Sequence, residues 1–143
     1  MNAYVADASV AAKWVLPGSG EPLRDEALHL LSQWIAGNCL LTVPDIFWSE
    51  SANILWKAFR RGRCNEETAR ASLAALQELA IPTVPAFVLL DPAFGIAMNY
   101  SRTVYDALYV ALAMKSKSQL VTADEKLANA LAAHLPVKWL GAI

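Results

Sequence analysis

Apolar residues fall along this chain in short runs, separated by longer stretches in which they recur every three or four positions. Tyr4 to Ala6 is a run that ends at Asp7, and Ser9 to Leu16 reads as a brief helix stopped by Pro17-Gly18. Pro22 stands near the start of an amphipathic helix carrying Leu23, Ala27, Leu30, Leu31, Trp34 and Ile35, with Gly37 as its C-cap. Leu40 to Val43, closed by Pro44, is the next run. Asp45 then caps a helix with Phe47, Ile54, Leu55, Ala58 and Phe59, as far as Gly62. Asn65 and Glu66-Glu67 open another, with Ala69, Leu73, Leu76 and Leu79. Ile81 to Val84 predicts a strand, and Pro82 places it at a sheet edge because proline cannot donate to a ladder. Asp91-Pro92, a cap followed by proline at the first helical position, starts a helix toward Asn99. Tyr105 to Lys115 is a further helix, Leu120 to Thr122 a strand, Glu125 to His134 a helix and Val137 to Leu140 a last strand.

Short apolar strands alternating with helices predict an α/β fold with a parallel sheet covered on both faces. At 143 residues the expected organisation is one domain, 1–143. Apolar residues make up 56% and charged residues 17%, which excludes disorder. The richest apolar stretch, Val104 to Met114, is broken by Asp106 and falls short of the ~18 residues a membrane crossing needs. No secretory signal is read, because no basic residue precedes Tyr4-Val5-Ala6 and a carboxylate follows at Asp7. Cys39 and Cys64 are too few for a disulfide framework and lack metal-ligand spacing, so a reducing cytoplasm is the expected compartment. Five tryptophans (Trp14, Trp34, Trp48, Trp56 and Trp139) and a positive mean hydropathy predict apolar surface, hence a protein partner or a dimer.

The carboxylates change the picture. Asp7 and Asp124 each follow a predicted strand, and in an open parallel sheet such positions line the ligand crevice where strand order reverses. Capping the next helix is the other reading of each. Glu50 shares the apolar stripe of its helix with Phe47, Ile54 and Ala58. Asp106 is the single charge between Thr103 and Met114, with no Lys or Arg in its own helical turn, so burial is expected there. A buried carboxylate must be paired, protonated or bound to a cation. His29 and His134 lie on other helices, which leaves an oxygen-only donor set suited to Mg²⁺ or Mn²⁺ rather than zinc. If the four acids converge, at least one should have a folded-state pKa above the usual carboxylate range.

The net charge of −1 argues at first against a nucleic-acid partner. Setting the four acids aside leaves nine acidic against 12 basic residues, and the objection weakens. Lys57, Arg60, Arg61 and Arg63 gather at one helix end, and Lys115 with Lys117 follows the Asp106 helix. Solvated helix C-termini, favoured by the dipole, are the other reading of these groups.

The ordered set Asp7-Ala-Ser-Val-Ala-Ala-Lys13-Trp, Glu50, Tyr105-Asp106-Ala107-Leu108-Tyr109 and Thr122-Ala-Asp124 resembles the PIN-domain ribonucleases, specifically the VapC-type toxins of toxin–antitoxin pairs. The resemblance covers essentially the whole chain. It implies a three-layer α/β/α sandwich with about five parallel strands, and a metal-dependent endoribonuclease site for one or two Mg²⁺ or Mn²⁺ ions on Asp7, Glu50, Asp106 and Asp124. Ser9, Thr122 and Asn53 look like supporting groups, and Lys13, Lys57, Arg60, Arg61 and Arg63 like RNA contacts. Many relatives carry another Asp shortly after the Asp124 position, where this chain has Glu125 followed by Lys126, and that departure counts against a fifth acidic ligand and a second metal. The resemblance also implies a VapB-like antitoxin, an RNA substrate, a homodimer and no membrane role. Two other readings compete: a catalytically inactive PIN-like protein-binding module, and an acidic-pocket phosphatase or receiver-type domain. The last is disfavoured, since Ser9 stands where the dehalogenase-type phosphatases need a second Asp.

Overall fold

Five strands form at the apolar runs: β1 (Asn2–Ala6), β2 (Cys39–Pro44), β3 (Thr83–Val84), β4 (Gln119–Thr122) and β5 (Val137–Trp139). Between them lie α1 (Ala8–Val15), α2 (Arg24–Ile35), α3 (Ile46–Arg60), α4 (Glu66–Glu78), α5 (Leu90–Tyr100), α6 (Val104–Lys115) and α7 (Glu125–Leu131). The computed structural model describes residues 1–16, 18 and 20–143, so the proline of the expected Pro17-Gly18 stop lies outside the described residues. All pairings are parallel, in the order β3-β2-β1-β4-β5, with Val5 opposite Thr42 on one side and Leu120 on the other. β3 takes the edge, as Pro82 requires, and the Pro82 carbonyl still accepts the Val43 N–H at 3.0 Å.

From β1 to β3 the chain steps one way across the sheet, and from β4 to β5 it steps the other. Strand order therefore reverses between β1 and β4, and the crevice of such a sheet opens at the carboxyl ends of that pair. Right-handed crossovers put α1 to α4 on one face and α5 to α7 on the other, giving three layers. The packing agrees: α1 lies against α2, α3 and α4, while α5 lies along α6, which covers β1 and β2. Ala107 to Ala113 are all buried, so α6 is a fully covered helix and shows no polar face over that span.

Several boundaries differ from expectation for local reasons. α2 starts at Arg24, after Leu23 takes a left-handed conformation (φ 59°). Asp45 does not cap α3 with its side chain; its Oδ1 accepts the Ala86 N–H at 3.0 Å and ties the start of α3 to the loop after β3. A 3-10 turn over Ala86–Leu89 delivers the chain already coiled, so α5 begins at Leu90 and Asp91-Pro92 fall inside its first turn, where a missing N–H costs little. α7 ends at Leu131, whose carbonyl accepts from both His134 and Leu135, and β5 ends at Trp139.

Tryptophan was expected to mark open surface, and mostly it does not. Trp14 is buried with its indole N–H on the Ala27 carbonyl at 2.8 Å, Trp34, Trp48 and Trp139 pack partly against the core, and Trp56 is exposed. The open apolar surface is instead a ridge on α5. Leu90, Phe94 and Met98, at successive helical turns, face outward beside Phe87 (83% exposed) and Val88. Among the described residues no helix is long and apolar enough to cross a membrane.

Candidate active site

Asp7 terminates β1 and is the N-cap of α1: its Oδ1 accepts the N–H groups of Ser9 (3.1 Å) and Val10 (3.3 Å). The Ser9 hydroxyl donates to the same oxygen and accepts the Ala123 N–H at 3.0 Å, which stitches the start of α1 to the chain leaving β4. Thr122 is fully buried behind this junction. Its hydroxyl stands close enough to Asp7 to stabilise the ionised carboxylate and accepts the Asp124 N–H at 3.0 Å. Asp124 in turn caps α7 through the Leu127 N–H at 3.1 Å. Capping and cleft lining are therefore compatible here, because both aspartates cap through Oδ1 at the point where strand order reverses.

The other two acids come from opposite layers. Glu50, half-buried on α3, accepts a 2.6 Å hydrogen bond from the Tyr109 hydroxyl of α6. Asp106 lies in the first turn of α6, which Thr103 Oγ1 caps by accepting the Asp106 N–H at 3.1 Å. The expectation of burial at Asp106 is corrected, since its side chain is 36% exposed, and of the alternatives for it the structure shows a pair, with Arg102 3.4 Å away. Arg102 precedes the cap, one turn back from Asp106, so it escapes a search confined to the helix.

Asp7, Glu50, Asp106 and Asp124 line one cleft of about 420 Å³, together with Ser9, Asn53, Lys57 and Tyr109. Asp7 keeps a window onto it but is otherwise enclosed, and that burial pushes its carboxyl up to about 6, against the lowering effect of the Ser9 and Thr122 hydroxyls and the Val10 and Ser9 amides. Burial, then the Glu50 and Asp7 charges, hold the Tyr109 phenol far above its ordinary range, so it is a proton donor at every working pH. Among the described residues no three acids, histidines or cysteines are drawn together tightly enough to clasp an ion as they stand. The donor chemistry nevertheless fits a hard divalent cation: four carboxylates, three hydroxyls and an amide line the cleft, without sulfur or imidazole. His29 borders a different cavity.

The basic candidates separate into two groups. Lys57 lines the cleft, Arg60 stacks over Trp56 at 5.3 Å, and Arg61 is exposed just past α3. Lys13 and Arg63 are instead both engaged by Glu21, at 3.1 and 3.0 Å, and the Lys13 side chain is only 10% exposed. Lys13 is thus a structural cation where an RNA contact was expected. Its motif position on α1 gave no hint of Glu21, which lies beyond the helix end. Burial acts to raise the Glu21 carboxyl, but Lys13 and Arg63 outweigh it and hold that group below its usual value.

Four carboxylates lining one cleft at the reversal point of a five-stranded parallel sheet make this an α/β protein with an acidic cleft. A family model described as the PIN domain matches residues 4–131, and the chain belongs to that family. Within it the chain is of the VapC type: it is 37% identical over 127 residues to Ribonuclease VapC3 of Pyrobaculum aerophilum, a match covering 87% of this chain and 92% of that one. Among solved structures, PAE2754 from Pyrobaculum aerophilum superposes with a TM-score of 0.70 at 23% identity, covering 99% of this chain and 85% of that one. VapBC2 from Rickettsia felis, bound to a DNA fragment from its promoter, superposes with a TM-score of 0.64 at 13% identity, covering 96% and 98%. These two likenesses concern the fold, which is the PIN-like α/β/α sandwich.

Proposed function

We propose that this chain is a divalent-metal-dependent endoribonuclease acting as the toxin of a toxin–antitoxin pair, with one domain over residues 1–143 and a cytoplasmic site of action. The observation that carries the reading is the gathering of Asp7, Glu50, Asp106 and Asp124 around one cleft in a chain of the VapC type. These four carboxylates would hold Mg²⁺ or Mn²⁺, one ion or two. When bound, such an ion activates water and offsets charge on a phosphodiester undergoing in-line displacement. Ser9 and the Val10 amide fix Asp7, Thr122 fixes the backbone of Asp124, and Tyr109 holds Glu50. Asn53 and Lys57 stand in the cleft wall, where an amide and an ammonium can meet the substrate's phosphate oxygens, and Arg60 and Arg61 extend that basic track along α3. Ser9 donates its hydroxyl proton to Asp7 and accepts the Ala123 N–H, so it serves to hold Asp7 in place. Purified protein with Mn²⁺ is expected to cut structured RNA, and chelator to stop it reversibly. Intact RNA under both conditions would favour the inactive protein-binding module.

The partners proposed are a VapB-like antitoxin and a second copy of this chain. A structural neighbour from Klebsiella pneumoniae, a toxin–antitoxin complex, supports the first. The α5 ridge supports the second. Its five apolar side chains expose on the order of 500 Å², toward the upper end for a monomer and a large part of the ~800 Å² per partner of a standard interface. A contact between identical apolar stripes needs no opposite charge across it. A Phe94→Asp, Met98→Asp variant should sediment as a monomer while wild type sediments as a dimer; a monomeric wild type at tens of micromolar would remove this partner.

A further inference from the structure

We propose that Tyr109 is a positioning residue: its hydroxyl fixes the Glu50 carboxylate from across the cleft, before any cation is bound. The proposal rests on the metal-site reading above. Tyr109 is 3% exposed, yet it lines the cleft beside the four acids. Its Oη–H donates to Glu50 Oε1 at 2.6 Å. Tyr109 also sits one turn beyond Asp106 on α6. A single hydroxyl thus joins α6, which carries Asp106, to α3, which carries Glu50.

The chemistry of this bond explains why a phenol is needed there. Glu50 reaches the cleft from α3, in the layer opposite α6, and a glutamate has more rotamer freedom to lose than an aspartate. Asp7 and Asp124 are each held by backbone amides of the helix they cap, whereas Glu50, in the second turn of α3, caps no helix and accepts from Tyr109 instead. A donor must therefore come from another element, and Tyr109 is the one in contact. Fixing the carboxylate during folding removes that ordering cost from the binding step. Donors to metal-ligating groups typically change affinity by about 10- to 100-fold.

Calorimetric titration with Mn²⁺ of four proteins tests this: wild type, Tyr109→Phe, Glu50→Gln and the double variant. Tyr109→Phe is expected to keep the wild-type circular dichroism spectrum and to bind Mn²⁺ about 10- to 100-fold more weakly. Its kcat should drop at limiting Mn²⁺ and recover in part at excess. In the Glu50→Gln background the same change should cost no more than about twofold, because its effect passes through the Glu50 charge. A Tyr109→Phe protein that melts earlier but binds Mn²⁺ like wild type would show a purely structural hydroxyl and overturn the proposal. Equal losses in both backgrounds would overturn it too, since Tyr109 would then act by another route. Wild type that binds no Mn²⁺ would overturn the metal-site reading itself, and this proposal with it.

Discussion

RNA cleavage should fall by at least ~10²-fold in Asp106→Asn while the fold stays intact. Asp106 is the most informative acid to change because its structural duties are slight. Its side chain is 36% exposed and its ion pair with Arg102 is long, at 3.4 Å, a class of contact worth about 0–1 kcal/mol. Its backbone N–H, which receives the Thr103 cap, survives the substitution. Loss of activity therefore reports chemistry and not folding. Asp7→Asn and Asp124→Asn belong in the same series, since asparagine caps a helix about as well as aspartate. Alanine at either position would add a capping loss of about 1 kcal/mol and blur the result. The measurement is the initial rate of RNA cleavage at saturating Mn²⁺, beside a melting curve for each variant. Full cleavage by an Asp7→Asn, Asp106→Asn double variant in chelator would sink the nuclease reading.

Much of this was legible in the sequence where a single local pattern decides the outcome. The strand-then-acid pattern at Asp7 and Asp124 became two strand ends at the reversal point, because parallel strands separated by helices leave few ways to arrange the sheet. Glu50 on an apolar stripe did mark a carboxylate turned toward the interior. What local pattern does not carry is the partner from another element. The Tyr109 bond to Glu50 spans 59 positions, and the Asp45 bond to Ala86 spans 41. Lys13 illustrates the same gap, since whether a lysine meets RNA or a glutamate depends on a loop that no helical period describes. Tryptophan count also misled: indoles suit a core when their N–H finds a carbonyl, as Trp14 does, and the exposed surface fell to Phe87, Phe94 and Met98 instead.

Metal-free wild type is expected to be most stable at about pH 4–5 and to lose stability as the pH climbs through about 6. Asp7→Asn should stay level across that window. The Asp7 carboxyl rests at about 6 in the folded protein against 3.8 in the unfolded chain, so between those values the folded state binds more protons. Stability then falls as pH rises, by an amount on the order of 3 kcal/mol for a shift of this size. Glu21 acts with the opposite sign. Its folded value lies below 4.5, so its stabilising pair of cations is in force above that pH and is lost as pH falls through the folded value. Glu21 thus accounts for an acid limb and Asp7 for the limb above it. Asparagine removes the charge that burial penalises while keeping the cap, which is why only the upper limb should vanish. Mn²⁺ at pH 7 should restore wild-type stability by roughly 2.7 kcal/mol at a hundred times Kd, several degrees in melting temperature for a chain of this length. It should move Asp7→Asn far less, because the variant lacks both the buried charge and a donor oxygen. Melting curves from pH 4 to 8, with and without Mn²⁺, decide it. A descending limb that persists in Asp7→Asn, or an equal metal response in both proteins, would mean that the buried charge lies elsewhere and that the cation, if bound, does not meet Asp7.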